Sequence, residues 1–433
     1  MHRARRVAVS EDEPVQIPPA SPITTPIAPT LRERVAALAP AAKLVDAAAR
    51  AGIAAYLVGG TVRDLLLDRE PLDIDVAVDG EPDRLVALLD AAELNARAPT
   101  PTRFQTLALE LCGARVDIAR TRSERYPHPG ALPEVAPAGI EVDLWRRDFS
   151  VNAIAVGLSG PYTGALLALP GALENLAAGR LAVLHDQSFI DDPTRLLRLA
   201  RYAARLRFQP EAHTRALASE AIAAGALKTL SGPRLGNELR LLAAEQEPLA
   251  AFAAAAELGL PWRLDRGRAA RALELLPADG RGDLLVLAAS FSLQPYSADA
   301  RSLKATLDHL GFNANERERI VQTAGRAPAL AARLAAARSG AEIAAAVAGS
   351  PVEAVALAAT LSGETQARSW LADLRHRALA ISGDDLIAHG IPEGPAVGAG
   401  LAAARAGLFD GLADSGRAQL ELALRAASAQ RQR

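Results

Sequence analysis

The segments that favour β-sheet are confined to one N-terminal part of this chain. Short apolar runs with strand-like spacing lie between about residues 55 and 156. After Pro193 the sequence is rich in Ala, Leu and Arg, and Gly-Pro or X-Pro pairs interrupt it. Ala is the strongest helix former, whereas aromatic and β-branched residues favour strands. The pattern therefore predicts an α+β fold in which a small mixed sheet precedes helices that continue to the C-terminus.

The composition excludes several classes of protein. The single cysteine, Cys112, cannot form an internal disulfide, and no Cys and His residues have the spacing of a zinc site. No apolar run approaches the roughly 18 residues that a transmembrane helix needs, and the N-terminus lacks a signal-peptide core. These features predict a cytoplasmic protein with no membrane partner. The net charge of −2 excludes a uniformly basic surface but allows a local basic stripe.

A glycine pair follows the first predicted strand. The apolar run 55–58 ends in Gly59-Gly60, and a helix is predicted from Thr61 to about Leu67. Glycines allow a polyphosphate to approach the backbone, and a helix N-terminus offers unpaired N–H groups. Arg63, in the first turn, could add a charged contact. Alone, a Gly-Gly pair is usually no more than a turn.

Two aspartates follow on the next predicted strand. Residues 72–78 (LDIDVAV) alternate strictly, so Asp73 and Asp75 should share one face of a strand. Side chains two residues apart on a strand can converge on one or two Mg²⁺ ions, as phosphoryl transfer requires. A bare Asp-x-Asp more often lies on the solvated face of an edge strand. Its position nine residues after Asp64 makes the combination with the glycine pair far more specific.

Two further features are predicted in this part of the chain. Residues 107–111 and 114–119 are predicted strands, joined in a hairpin at Cys112-Gly113. Residues 123–139 contain four prolines and two glycines, which predicts a mobile loop without regular structure.

These motifs, in this order, resemble the class II tRNA nucleotidyltransferases (CCA-adding enzymes) and their bacterial poly(A) polymerase relatives, within the polymerase β nucleotidyltransferase superfamily. The resemblance covers about residues 57–244 and, more loosely, 383–401. It implies that Gly59, Gly60 and Arg63 bind the triphosphate, and that Asp73 and Asp75 are catalytic and hold Mg²⁺. A third metal-binding carboxylate is implied at Asp117, for which Glu110 is an alternative.

Residues 146–153 (RRDFSVNA) resemble the second motif of this family. The resemblance implies that Arg146 and Arg147 bind phosphates and that Asp148 accepts from a ribose hydroxyl, with Asn152 in the same nucleotide-binding motif. Guanidinium groups suit phosphates and a carboxylate suits a hydroxyl donor. Outside this order, such a charge cluster would more often be a solvated turn.

Residues 189–198 (FIDDPTRLLR) resemble the motif that selects the incoming base. The resemblance assigns base recognition to Asp192 and Arg195, so that the protein itself acts as the template for C and A. The alternative for Asp192 is a plain helix N-cap. On the helix that follows, Arg198 and Arg201 share a basic face with Arg205, which suits nucleotide and tRNA phosphates; an ordinary solvated helix face is the alternative.

The resemblance implies addition of C, C and A to the 3′ end of tRNA from CTP and ATP, with release of pyrophosphate. Residues 1–30 contain six prolines and no apolar period, which predicts a disordered leader. The resemblance implies a nucleotidyltransferase head (31–180), and a helical neck (181–250), body (251–340) and tail (341–433). The 123–139 segment resembles the flexible loop of the family, which favours complete CCA addition. The alternatives are a poly(A) polymerase, a CC-adding or A-adding enzyme, and a catalytically inactive RNA-binding helical protein.

Overall fold

The computed structural model describes residues 20–89, 100–101, 106–293 and 300–431. The chain divides into two compact units, Met1–Leu230 and Ser231–Arg433. The first contains every described strand together with nine helices, and the second is helical throughout its described part. The predicted α+β fold, with a mixed sheet followed by helices, is confirmed. The finer division into neck, body and tail stays a prediction.

An eight-stranded mixed sheet forms the centre of the first unit. Its strand order is β1-β10-β9-β2-β3-β6-β5-β4, and β3 and β6 are parallel neighbours whereas the other neighbours are antiparallel. Two pairs, β7 with β8 and β11 with β12, lie outside this sheet. The strands are β1 (Ile23–Pro26), β2 (Ala54–Val58), β3 (Ile74–Asp79), β4 (Thr100–Pro101), β5 (Thr106–Leu111), β6 (Ala114–Arg120), β7 (Arg122–Arg125), β8 (Glu134–Pro137), β9 (Ile154–Ser159), β10 (Ala165–Ala168), β11 (Arg180–Leu181) and β12 (Gln209–Pro210).

Helices pack around this sheet. One buried cluster joins Tyr56 and Ala77 of the central strands to Ile140 and Leu144 of α5, which fixes α5 beside β2 and β3. The helices of the unit are α1 (Pro29–Ala37), α2 (Ala41–Ala51), α3 (Gly60–Leu66), α4 (Pro82–Val86), α5 (Ile140–Trp145), α6 (Ala172–Ala177), α7 (Ser188–Asp191), α8 (Thr194–Leu206) and α9 (Ala212–Ala223).

The second unit is built from short Ala-rich helices with a shared core. Leu285, Leu330, Leu357 and Leu371 belong to one buried cluster of this unit. Its helices are α10 (Gly232–Ala243), α11 (Pro248–Glu257), α12 (Arg266–Leu275), α13 (Gly282–Phe291), α14 (Ala300–His309), α15 (Ala314–Ala336), α16 (Gly340–Val347), α17 (Val352–Ala359), α18 (Glu364–Ala372), α19 (Gly383–Ala388), α20 (Pro395–Phe409) and α21 (Gly416–Arg431). No single described helix has the length and apolar content to cross a bilayer. Among the described helices, only α16 and α17 taken together have this length and apolar content, and they are bent by 113° relative to each other.

The hairpin predicted at Cys112-Gly113 is confirmed. Strands β5 and β6 pair antiparallel, with Leu111 opposite Ala114. Cys112 (φ 52°) and Gly113 (φ 78°) both have positive φ, as a two-residue type I′ turn requires. The turn sets the register that places Asp117 in the sheet.

The prediction that residues 123–139 lack regular structure is wrong. Strands β7 and β8 pair antiparallel, with Arg122 opposite Pro137 and Arg125 opposite Glu134. Pro127, Pro129 and Pro133 lie in the connection between the strands, and Pro137 is the last residue of β8. Proline is tolerated at these positions because a strand end or a connection needs no ladder N–H.

The disordered-leader prediction is wrong for the described end of that segment, and its residues 1–19 lie outside the described residues. Strand β1 pairs antiparallel with β10 at the sheet edge, and α1 begins at Pro29. All four β1 side chains are exposed, so this strand is held by main-chain pairing and not by an apolar pattern. The residues that follow form two helices, α1 and α2, which are separated by a break between Leu38 and Pro40.

Candidate active site

The Gly59-Gly60 bend brings the start of α3 against two charged side chains. Gly59 has φ 62° and ψ −125°, a conformation that only glycine adopts readily. A Cβ at Gly59 would overlap the Arg147 guanidinium, and a Cβ at Gly60 would lie 3.7 Å from Oδ2 of Asp75. Gly59 therefore leaves room for Arg147 beside the backbone, whereas a Cβ at Gly60 would make only an ordinary contact with Asp75.

Thr61 fixes the main chain of the two predicted catalytic aspartates. Its buried hydroxyl accepts a hydrogen bond from the Asp75 N–H (2.8 Å) and donates to the Asp73 carbonyl (3.2 Å). The sequence analysis missed this residue, because its partners lie 12 and 14 positions away.

The sheet register brings two carboxylates side by side. Asp75 of β3 lies directly opposite Asp117 of the parallel strand β6, and such strands are separated by about 4.8 Å. Asp73 comes just before β3, with 45% of its side chain exposed. Leu72, predicted on the apolar face of this strand, precedes it and is 83% exposed. Glu110 lies opposite Arg115 and not opposite Asp117, so the register favours Asp117 as the partner of Asp75.

The carboxylates are incompletely neutralised. The pKa of Asp75 is raised to about 6, chiefly by burial; Arg147 lowers it, while Asp117 and Asp73 add to the rise. Burial also raises the pKa of Asp117, and its Oδ1 is buried without a hydrogen-bond partner. The Arg115 guanidinium lies 3.6 Å from both Asp73 and Asp117. This concentration of negative charge therefore suits a bound cation.

The structure supports a metal site at these residues without showing a finished one. No three His, Cys, Asp or Glu side chains in the described parts of the chain already converge as metal ligands. The orphaned Oδ1 of Asp117 and the adjacent Asp75 carboxylate are nevertheless the hard oxygen ligands that Mg²⁺ and similar cations prefer. The donor set therefore fits a divalent cation, which would relieve the repulsion between the two carboxylates.

Two arginines lie close to these carboxylates. Arg146 donates to Asp143 (2.7 and 3.0 Å) and to Glu124 of β7 (3.0 Å), while Arg147 donates to Asp143 (2.9 Å). Only 1% of the Asp143 side chain is exposed. Although burial raises the pKa of Asp143, Arg146 and Arg147 hold it below its ordinary value. Asp143 and Glu124 were missed in the sequence because acidic residues at these positions match no motif.

The aspartates and the arginines line one open cleft of about 250 Å³. Asp75 and Asp117 line it together with Arg122, Arg146 and Arg147. Carboxylates that can hold a cation therefore share a cavity with guanidinium groups that can bind phosphate, a combination suited to a metal-bound polyphosphate.

The remaining residues of the first two predicted motifs form a buried chain of contacts. Arg63 donates to Asp64 (2.8 and 2.9 Å) and to Oδ1 of Asn152 (2.7 Å). Asn152 donates to Asp148 (2.9 Å), and Arg198 donates twice to the other carboxylate oxygen of Asp148 (2.6 and 2.9 Å). Arg63 and Asn152 are 3% and 4% exposed, so their contacts in this structure are with protein groups and not with solvent.

We expect the Asp148 carboxylate to stabilise the fold in a pH-dependent way. Although burial raises its pKa, Arg198 and Asn152 lower it to about 2. This stabilisation should be complete above the ordinary value near 3.8 and should be lost as the pH falls toward 2, with a size of about 2 kcal/mol. Urea unfolding of wild type and Asp148→Asn should differ by about this amount at pH 7 and by roughly half of it at pH 3. A difference independent of pH would contradict the assignment.

The residues predicted to read the base lie at the start of α8. Oδ1 of Asp192 accepts from the Thr194 N–H (3.2 Å) and hydroxyl (2.6 Å) just before α8, whereas the N-cap position of that helix is occupied by Pro193. Arg195, which is 4% exposed, donates to Ser188 (2.6 Å) and to the Arg146 carbonyl (2.8 Å). The second contact links the predicted base-reading motif to the arginines predicted to bind phosphate. Arg201 lies farther along α8 and is partly exposed.

The mixed sheet, the Gly-Gly bend and the carboxylate-arginine cleft together resemble the head domain of a nucleotidyltransferase. Residues 55–182 match the family model of the poly(A) polymerase head domain. This part of the chain is therefore similar to the class II tRNA nucleotidyltransferases and bacterial poly(A) polymerases, a group of nucleotidyltransferases that are generally metal-dependent.

Relatives with curated names match the N-terminal part of the chain. An A-adding tRNA nucleotidyltransferase of Geobacter sulfurreducens is 42% identical over 206 residues, which are 47% of this chain and 23% of that protein. A CC-adding tRNA nucleotidyltransferase of Deinococcus radiodurans is 40% identical over 193 residues, 44% of this chain and 50% of that protein. The chain thus spans between 23% and 50% of the length of these relatives.

Solved structures match nearly the whole chain. An apo CCA-adding enzyme superposes with a TM-score of 0.77 and 28% identity, covering 93% of this chain and 99% of that chain. The CCA-adding enzyme of Thermotoga maritima, complexed with tRNA, superposes with a TM-score of 0.71 at the same identity and coverage. The likeness to the family therefore extends beyond the head into the helical unit.

Proposed function

We propose that this protein adds C, C and A to the 3′ end of tRNA, using CTP and ATP and releasing pyrophosphate. The observation that carries the proposal is the cleft in which Asp75 and Asp117 face Arg146 and Arg147. Such a cleft can hold a nucleoside triphosphate with its metal. The match to CCA-adding enzymes over 93% of the chain supports tRNA as the molecule that accepts the nucleotide.

The metal of the site is proposed to be Mg²⁺, held by Asp73, Asp75 and Asp117. When bound, it would lower the pKa of the attacking 3′-hydroxyl and neutralise charge on the triphosphate. These three residues are proposed as metal ligands on the strength of the Asp75-Asp117 register and the orphaned Asp117 oxygen. Thr61 holds the backbone that carries two of them.

The arginines of the cleft are proposed to orient the triphosphate. Asp143 and Glu124 fix Arg146, and Asp143 also fixes Arg147, so their guanidinium groups are ordered before the nucleotide binds. Ordered donors lose less conformational entropy on binding than free side chains. Gly59 and Gly60 would leave space for the phosphates beside the backbone. Arg63, Asp148 and Asn152 are proposed to shape the ribose side of the site.

The product on a shortened tRNA tests the proposal. Purified protein would be supplied with tRNA lacking its terminal CCA, together with Mg²⁺ and CTP, ATP or both. We expect two additions with CTP alone and a third when ATP is present. The absence of any incorporation, with an authentic CCA-adding enzyme active on the same tRNA, would reject the proposal.

A second candidate is an enzyme that adds only part of the terminus. It is favoured by the 42% and 40% identities with an A-adding and a CC-adding enzyme. Two C residues and a stop with both nucleotides would identify a CC-adding enzyme. Addition of A only to tRNA ending in CC would identify an A-adding enzyme, and long A tails would identify a poly(A) polymerase. We propose a cytoplasmic location for whichever activity is found, since tRNA is its substrate.

Asp192 is expected to control which nucleotide is accepted. Asp192 and Arg195 are proposed to present an acceptor and a donor fork to the base. The Asp192→Ala variant should therefore incorporate UTP and GTP alongside CTP and ATP, with discrimination reduced about tenfold or more. The measurement is incorporation of each nucleotide into tRNA lacking its terminus. Strict selectivity for C and A in this variant would show that the protein-template assignment is wrong.

A further inference from the structure

Tyr202 of α8 closes a ring of contacts between the three motifs of the head. Arg63 donates to Asn152, Asn152 donates to Asp148, and Asp148 accepts from Arg198. Arg198 also donates to the Tyr202 hydroxyl (3.1 Å). The ring is completed where the Arg63 guanidinium lies 5.5 Å from the centroid of the Tyr202 ring.

The environment of Tyr202 is unusually cationic. The guanidinium groups of Arg63 and Arg198 both lie 5.5 Å from its ring centroid, and that of Arg205 lies 5.9 Å away. The buried Phe149 meets the same ring at 5.7 Å with an interplanar angle of 89°. An aromatic face attracts cations, and the attraction grows as they lose water. Tyr202 therefore offsets repulsion between like charges, while Phe149 fixes the direction of its ring.

The members of this ring differ in their freedom to move. Arg63 is 3% exposed and is also held by Asp64. Arg198 has 34% of its side chain exposed, so it is the member best placed to meet a ligand. Tyr202 gives the Arg198 guanidinium a hydrogen-bond acceptor and an aromatic face, in addition to Asp148. The orientation of Arg198 therefore depends on Tyr202.

We propose that Tyr202 is a positioning residue for nucleotide binding, which holds the Arg63 and Arg198 guanidinium groups without contacting the nucleotide. This inference rests on the proposed nucleotidyltransferase function. A stacking role toward the base is disfavoured, because Phe149 and three guanidinium groups already surround the ring. Tyr202 acts through Arg198, whose charge lies between Asp148 and the solvent-exposed side of α8.

Equilibrium binding of nucleotide without tRNA tests the inference. CTP and ATP would each be titrated calorimetrically into the full chain with Mg²⁺. Tyr202→Leu, which removes ring and hydroxyl, should bind about tenfold more weakly than wild type. Tyr202→Phe, which keeps the ring, should bind nucleotide at most about threefold more weakly than wild type. The matched control is Tyr162→Leu, which also removes a ring and a hydroxyl bond (to Glu141, 2.6 Å) and should bind as wild type.

Kinetics and a double-mutant cycle separate positioning from a merely structural role. Tyr202→Leu should raise KM for CTP about tenfold and change kcat less than about threefold. In an Arg198→Ala background the same substitution should have a clearly smaller effect, because only the contact with Arg63 remains. A lower Tm with unchanged nucleotide affinity and KM would overturn the inference while leaving the proposed function intact. If the wild type itself bound neither nucleotide, the proposed function would fail as well.

Discussion

Asp75→Asn is expected to lower the rate of nucleotide incorporation at least about a thousandfold, while the variant folds at least as well as wild type. The substitution keeps size and shape but removes the charge of one of the two adjacent carboxylates that we propose hold the metal. Loss of several kcal/mol of transition-state stabilisation corresponds to about this factor. Incorporation of labelled CTP into tRNA lacking its terminus measures the effect.

The stability of this variant should move in the opposite direction. The pKa of Asp75 is raised to about 6, above its ordinary value of 3.8. The folded protein therefore binds the proton more tightly than the unfolded chain, and stability falls as the pH rises from about 4 through about 6. At pH 8 the ionised carboxylate opposes folding. Asn removes that charge, so the Tm at pH 8 should equal or exceed that of wild type.

The control for both measurements is Asp79→Asn. Asp79 ends the same strand, is exposed, and lies opposite Ala54, away from the cleft. It should retain wild-type activity and stability. Addition of Mg²⁺ should raise the Tm of wild type and of Asp79→Asn but hardly that of Asp75→Asn, because a ligand that binds only the folded state stabilises it. Wild-type incorporation by Asp75→Asn would reject metal-assisted nucleotidyl transfer and favour a catalytically inactive RNA-binding protein.

Features set by neighbouring residues were predictable from the sequence. The hairpin at Cys112-Gly113 depends on a two-residue turn between alternating strands, and both residues adopt the positive φ that such a turn needs. The strand, glycine pair and helix of residues 54–66 are likewise local. In both cases, local backbone preference and tertiary structure favour the same conformation.

Features set by distant partners were not predictable. Strand β1 is held by main-chain bonds to β10, about 140 positions away, and shows no apolar alternation. Thr61 is polar and short, and nothing near it in the chain reveals that its hydroxyl links Asp73 and Asp75. The resemblance located Arg146 and Arg147 but not the acidic residue that orients them. A family motif thus predicts the groups that would face the ligand better than those that hold them.

Asp143→Ala is the substitution expected to destabilise the head most. The buried carboxylate accepts from Arg146, Arg147 and the Arg122 N–H (3.2 Å). Removing one partner of a buried charge pair leaves the other charges uncompensated and costs about 3–5 kcal/mol. For a unit of this size, the Tm should fall by about 10 °C. Differential scanning calorimetry measures the fall.

Activity should fall as well, because Asp143 orients both arginines of the cleft. At a temperature where Asp143→Ala is still folded, incorporation should drop about tenfold or more, mainly through a higher KM for CTP and ATP. Glu141→Ala is the matched control: it removes a carboxylate from the same helix, where Glu141 accepts from the Tyr162 hydroxyl. Loss of that hydrogen bond should lower the free energy of unfolding by about 1 kcal/mol, and Glu141→Ala should leave KM unchanged. Equal Tm and KM values for the two variants would show that Asp143 does not organise Arg146 and Arg147, and the cleft would then need another explanation for its ordered positive charge.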